Sequence, residues 1–300
     1  MVAKEMNKQD VGATVERKVG WAVITPAAII VLVFFITPVL YFLRIGFETP
    51  SQSQISVPGF TLNNFGEFFQ SAFYVHTLIR TVLIALCSTA LCLVLALPVA
   101  NLITRSSRKV KSLLIIATVF PLLVGNVVRS IGWVALLGYD GAVNSILIAL
   151  GVVEEPLELL HSPVTVGIAI TSVVLPIMVL TLQASMEAVS PATEQAALSL
   201  GAPPMRVFRQ ITFPQMMPGV VAGTSLVFVL CMNSYATPLL IGGSQVPMLA
   251  PAIYSAITTT NNWPFGAAMA TTLLVVCLTV IVLYGRLLSR IFETWRKEPR

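Results

Sequence analysis

Ser190-Pro191-Ala192-Thr193-Glu194-Gln195-Ala196-Ala197-Leu198-Ser199-Leu200-Gly201-Ala202-Pro203-Pro204 is an alanine-rich, punctuated stretch set between two long apolar ones. It reads as a helix, a turn and a second helix. Ser190 is of the type that caps a helix, and Pro191 suits the first helical position, where no N–H is needed. Thr193 to Leu200 is rich in helix formers, and Gly201 suits the left-handed conformation that closes a helix. Pro203 and Pro204 start the second helix, and Pro214 and Pro218 are expected to limit it. Ala196, Ala197 and Leu200 share one face at helical spacing, where the small residues let another surface approach closely. From Met186 to Pro218 the chain is outside any apolar run for over thirty residues, far more than a turn requires.

What flanks this loop is not a soluble protein. Hydrophobic residues make up 56% of the 300 and charged ones 10%, against about 25% charged in a soluble chain. A bilayer core of roughly 30 Å takes about 20 apolar residues per helical crossing. Spans are expected at roughly 20–44, 76–104, 113–137, 163–186, 218–241 and 265–288, giving an all-α integral membrane protein of about six transmembrane helices. Residues 1–18 are expected to form a cytoplasmic tail, 19–290 the membrane domain with the loop at 187–217, and 291–300 a second cytoplasmic tail.

The net charge of +5 reports topology, with no nucleic acid implied. Lys4, Lys8, Arg17 and Lys18 precede the first span, and Arg105, Arg108, Lys109 and Lys111 join the second to the third. Arg206 and Arg209 lie in the long loop, and Arg286, Arg290, Arg296, Lys297 and Arg300 close the chain, so fifteen of the eighteen Lys and Arg fall on one side. Positive loops stay in the cytoplasm, which puts both termini there and makes this a multi-pass membrane protein. The opposite segments carry Glu48, Glu67, Asp140, Glu154, Glu155 and Glu158.

Trp21 to Phe42 is too long for a signal-peptide core of about 7–15 residues and is read as a retained anchor helix. Phe65, Phe68, Phe69, Phe73 and Tyr74 suit the outer membrane interface. Ala142 to Val153 is too short to span and is expected to lie as an external helix. Residues 242–264 are read as an outer loop. Cys87, Cys92, Cys231 and Cys277 all fall in spans and are read as packing residues.

The long loop resembles the cytoplasmic signature of ABC-importer permeases: E-A-A, three residues, Gly, nine residues, Ile, one residue, Leu-Pro. Gln195-Ala196-Ala197, Gly201, Ile211 and Pro214 fall at those spacings, with Phe213 in place of Leu and Gln195 in the Glu position, next to Glu194. Thr61-Leu62-Asn63-Asn64-Phe65, Pro121 through Arg129 to Trp133, and Trp263-Pro264-Phe265-Gly266-Ala267-Ala268 look like the first permease subunit of spermidine/putrescine-type importers. The resemblance implies a type I ABC-importer permease fold in which Glu194, Gln195, Ala196, Ala197, Leu200, Gly201, Arg206, Phe208, Ile211 and Pro214 form a coupling loop. It also implies partners: an ATPase subunit in two copies, a second permease subunit (a paralogue more than an identical copy), and a periplasmic or lipid-anchored substrate-binding protein. Membrane lipid surrounds them. ATP and Mg would sit on the ATPase. This chain has no G-x-x-x-x-G-K-[ST], so it cannot be its own motor, and no cofactor or metal is expected on it.

Candidate pathway residues are Asn126, Arg129, Trp133, Asn233 and Tyr235, polar or amphipathic groups in the outer halves of the third and fifth spans. Three roles are open to Arg129: a structural or gating contact, the pathway lining, or an interface anchor. Trp133 and Tyr235 could hold an ammonium group against a ring face. Polyamines lead as substrate, with amino-acid derivatives, opines, phosphonates and iron as alternatives. An ion-gradient transporter is the rival class, but no Asp or Glu lies well inside a span. H-E-x-x-H and G-x-S-x-G, which a membrane enzyme could use, are also missing.

Overall fold

The computed structural model describes residues 25–26, 29–51 and 55–297, with side chains to residue 287. The expected N-terminal tail lies outside these. Helices α1 (Ile29–Ile45), α2 (Asn63–Gln70), α3 (Ala72–Arg105), α4 (Arg108–Val119), α5 (Asn126–Leu137) and α6 (Ala142–Ala149) make the first half. Then follow α7 (Pro163–Glu187), α8 (Pro191–Ser199), α9 (Pro204–Val207), α10 (Phe213–Met232), α11 (Leu249–Thr258) and α12 (Trp263–Lys297). Among the described residues five helical stretches are long and apolar enough to cross a membrane, and α1 is a shorter apolar one. Among the described residues the only extended pairing is a single bridge between Thr49 and Val57.

The core lies between α3 and α7, with α10 packed on both. Small residues let these helices approach. Ser88 Oγ on α3 donates to the Gly167 carbonyl of α7 at 3.0 Å. A Cβ placed on Gly219 of α10 would stand 1.5 Å from Ser185 Oγ and 2.4 Å from Ser185 Cβ of α7, so no larger residue fits there unshifted. The outward faces stay apolar, as with Leu83 and Val94 on α3 and Val275 on α12, and only lipid or another apolar surface suits them. The aromatic interface residues turn out to be partly internal. Phe68 is buried against Phe69 and Tyr74, and Tyr74 meets Phe265 of α12 at 5.0 Å.

Three expectations are corrected. The span at 113–137 is not one helix: a 3-10 turn at Phe120–Leu123 and an extended Val124 separate α4 from α5. Pro121 brings no N–H and Gly125 has little helical preference, so the ladder stops and restarts. The span at 218–241 instead runs from Pro204 to Met232. Pro214 and Pro218 do not limit it, because a π-helical turn at Phe208–Thr212 joins α9 to α10, and Pro214 falls in the first turn of α10. The outer segment 242–264 contains a helix of its own, α11.

Candidate functional site

The long loop folds as a helix and a turn that leads into the fifth span. Ser190 occupies the cap position of α8 and Pro191 its first turn, although the Ser190 hydroxyl makes no capping bond. At the other end Gly201 takes φ +83°. Its N–H donates to the Leu198 carbonyl at 2.9 Å, and that of Ala202 donates to Ala197 at 3.2 Å. This paired closure satisfies two carbonyls that the helix end would leave bare.

The loop residues sort into two faces. Gln195, Ala196, Leu200, Gly201 and Arg206 are exposed, as are Leu198 and Met205, and Leu200 is 89% exposed. Glu194, Ala197, Phe208, Ile211 and Pro214 are half-buried toward the bundle. Phe208 and Phe213 pack against the core with ring centroids 6.3 Å apart. Glu194 faces inward, accepting from the Thr212 hydroxyl and pairing with Arg105 Nη2 at 3.4 Å. A second ion pair, Lys111 with Glu187, joins the foot of α4 to that of α7, and Gln183 Nε2 donates to the same carboxylate at 2.7 Å. The basic α3–α4 turn and the long loop therefore lie at one end of the bundle.

At the other end the candidate pathway residues divide between two elements. Arg129 serves the helix break. Its Nη2 donates to the Val124 carbonyl at 3.2 Å and to Asn126 Oδ1 at 3.0 Å, and Nη1 reaches the Val173 carbonyl of α7 at 3.4 Å. Its Nε is buried with no partner among the described residues. Trp133 Nε1 donates to Ser172 Oγ at 3.0 Å. Asn233 is exposed and donates to Val229. Tyr235 packs on Tyr254 of α11 at 4.8 Å, and desolvation together with that neighbour raises its phenol above the ordinary range. The link between the two elements is a contact of Ser130 Oγ with Thr237 Oγ1 at 3.2 Å.

Residues 93–293 match the family described as the inner membrane component of binding-protein-dependent transport systems. The chain belongs to this family. It is 30% identical to the spermidine/putrescine transport system permease protein PotB of Salmonella typhimurium (strain SL1344), over 89% of this chain and 90% of that one. The inner membrane ABC transporter permease protein YdcU of Escherichia coli (strain K12) is also 30% identical, over 82% and 81%. In fold the chain matches a bacterial ABC transporter that imports the polysaccharide alginate, with a TM-score of 0.70 at 17% identity, over 94% of this chain and 99% of that one.

The protein is thus an inner-membrane permease subunit of a binding-protein-dependent ABC importer, built as an all-α bundle. Its signature loop sits at the end of the bundle where the basic turn lies. Sequence reasoning missed the partners of that loop in this permease. Thr212 and Arg105 are eighteen and eighty-nine positions from Glu194, and nothing in the local pattern pairs them. Gly219 carries no motif either; it directly follows Pro218, and only the Ser185 of α7 that it faces shows why a small residue stands there.

Proposed function

We propose that this permease works as one of two paralogous membrane subunits that take up a polyamine, spermidine or putrescine, delivered by an external binding protein. ATP and Mg bind a separate ATPase present in two copies, which docks on the exposed face of α8 and the Gly201 turn. Both termini face the cytoplasm, as the basic residues of one end favour. The observation that carries this function is the apolar projection of Leu198, Leu200 and Met205 into water. Such a projection is costly unless another protein covers it. The polyamine assignment is supported by the likeness to PotB over nearly the whole chain.

Purified complex with its binding protein should hydrolyse ATP faster when spermidine or putrescine is added. A panel in which only anionic ligands stimulate would replace the polyamine with an anion and make Arg129 a pathway candidate. Failure of this chain to retain any ATPase on purification would remove the docking assignment itself.

A further inference from the structure

We propose that Glu194 is a positioning residue whose carboxylate ties the docking helix α8 to the feet of two membrane spans, so that movement of α8 is passed to α3 and α10. This role rests on the importer function proposed above. It begins from a mismatch: α8 is the element offered to the ATPase, yet none of its nine residues is buried. Apolar packing therefore gives α8 little hold on the bundle. Without another hold, a pull on it would be taken up by the flanking turns.

Glu194 supplies that hold. One of its oxygens, Oε1, receives both the Thr212 hydroxyl and Arg105 Nη2. Thr212 is buried at 3% exposure, in the π-helical turn that feeds α10. Arg105 is the last residue of α3, and its Nε is steadied by Asn101 Oδ1 at 2.8 Å. The Glu194 side chain is only 19% exposed and that of Arg105 51%. Water and salt therefore screen this contact less than a pair in the open.

The π-helical turn gives the tie something to act on. An i→i+5 turn is rare inside a helix and is frequently found at functional sites. Thr212 closes that turn, so a force on its hydroxyl is applied at the join between α9 and α10. The neighbouring Lys111–Glu187 pair fastens α4 to α7 and leaves α8 untouched. Of the ion pairs among the described residues, Arg105–Glu194 alone reaches from α8 to a span.

The test uses the whole complex, with its ATPase, partner permease and binding protein, in lipid nanodiscs. Spin labels at exposed Phe73 and Val164, at the outer ends of α3 and α7, report whether ATP moves the spans, whatever the substrate. Glu194→Gln keeps size and loses the charge that holds Arg105; Thr212→Val keeps shape and loses the hydroxyl. Both should insert, keep the ATPase bound and hydrolyse ATP. In both, the fraction of complexes that shift on adding ATP and vanadate should fall about tenfold, the scale of one lost charge-assisted hydrogen bond. Glu194→Asp should recover part of the shift. A merely structural role would lower yield or thermal stability and leave the shift intact in the protein that remains. Full-amplitude movement in both variants, with the wild type also moving, would overturn the tie. A wild-type complex that holds no ATPase, or does not move with ATP, would instead strike the importer function.

Discussion

At the base of the permease the turn that ends α8 is closed by near neighbours, while the tie from Glu194 to Arg105 spans eighty-nine positions; the opposite half shows ties of the second kind. Ala202 answers Ala197, and Gly201 answers Leu198. In the outer half, by contrast, Arg129 reaches the carbonyl of Val173 and Ser130 meets Thr237. Arg80 donates to the carbonyl of Gln245 at 3.3 Å, across 165 positions. A loop whose helix buries no residue against the bundle needs a shape of its own. A region buried between spans needs only that its helices agree with one another. Local closure makes the α8 turn recognisable from a few residues, and ties between distant residues stay hidden at either end until the helices are assembled.

That contrast breaks first at Gly219. If helix approach as well as local turns shapes the base, Gly219→Leu should destabilise the bundle by about 3 kcal/mol, since the added side chain runs into Ser185 of α7 and the two helices must move apart. Thermal unfolding of the detergent-solubilised protein would show it, and an unchanged transition would mean that α7 and α10 are not in contact there. Next comes Arg129→Met, which leaves the Val124 and Val173 carbonyls without their donor and should cost about 1–3 kcal/mol. The loss should appear as a lower unfolding temperature with normal ATPase retention. An unaffected temperature together with altered ligand response would move Arg129 into the pathway.

A smaller effect is expected at Gly201, where the left-handed backbone costs a side-chain-bearing residue about 1–2 kcal/mol. Gly201→Val should insert normally, retain the ATPase poorly on co-purification and lose uptake. Retention and uptake at wild-type levels would mean that this turn does not present α8. Gln195→Ala should be the mildest, within about 0.5 kcal/mol, since an exposed neutral residue is being trimmed. A large loss of ATPase retention would show that the amide itself is read by the partner.

The sequence carried the class of fold and the loop because both rest on short-range signals. Apolar runs long enough to span, basic residues gathered on one side, and Pro191 and Gly201 bracketing a helix are each legible by eye. Illegible were the features set by competition between distant parts. Pro214 and Pro218 looked like stops, but the π-helical turn before them shifts the hydrogen-bond register and lets the helix run on. Pro121 and Gly125 together break the span expected at 113–137, and Arg129 answers the Val124 carbonyl left at that break. The apolar composition of α11 is masked in the sequence by the Gly, Pro and Asn that surround it. Gln195 drew attention as the departure from the signature, while the acidic residue beside it makes the contacts.

The unbroken helical path from Pro204 to Met232 has a mechanical meaning. Its 29 residues amount to a rod of about 43 Å, longer than the hydrocarbon core is thick. One end stands beside Gly201 and α8 and the other stops just short of Asn233 and Tyr235. Such a rod is a lever arm: tilting it by about 10° about its foot carries the far end about 7 Å sideways. A stop at Pro214 or Pro218 would have put a hinge in that arm and spent the same push on bending.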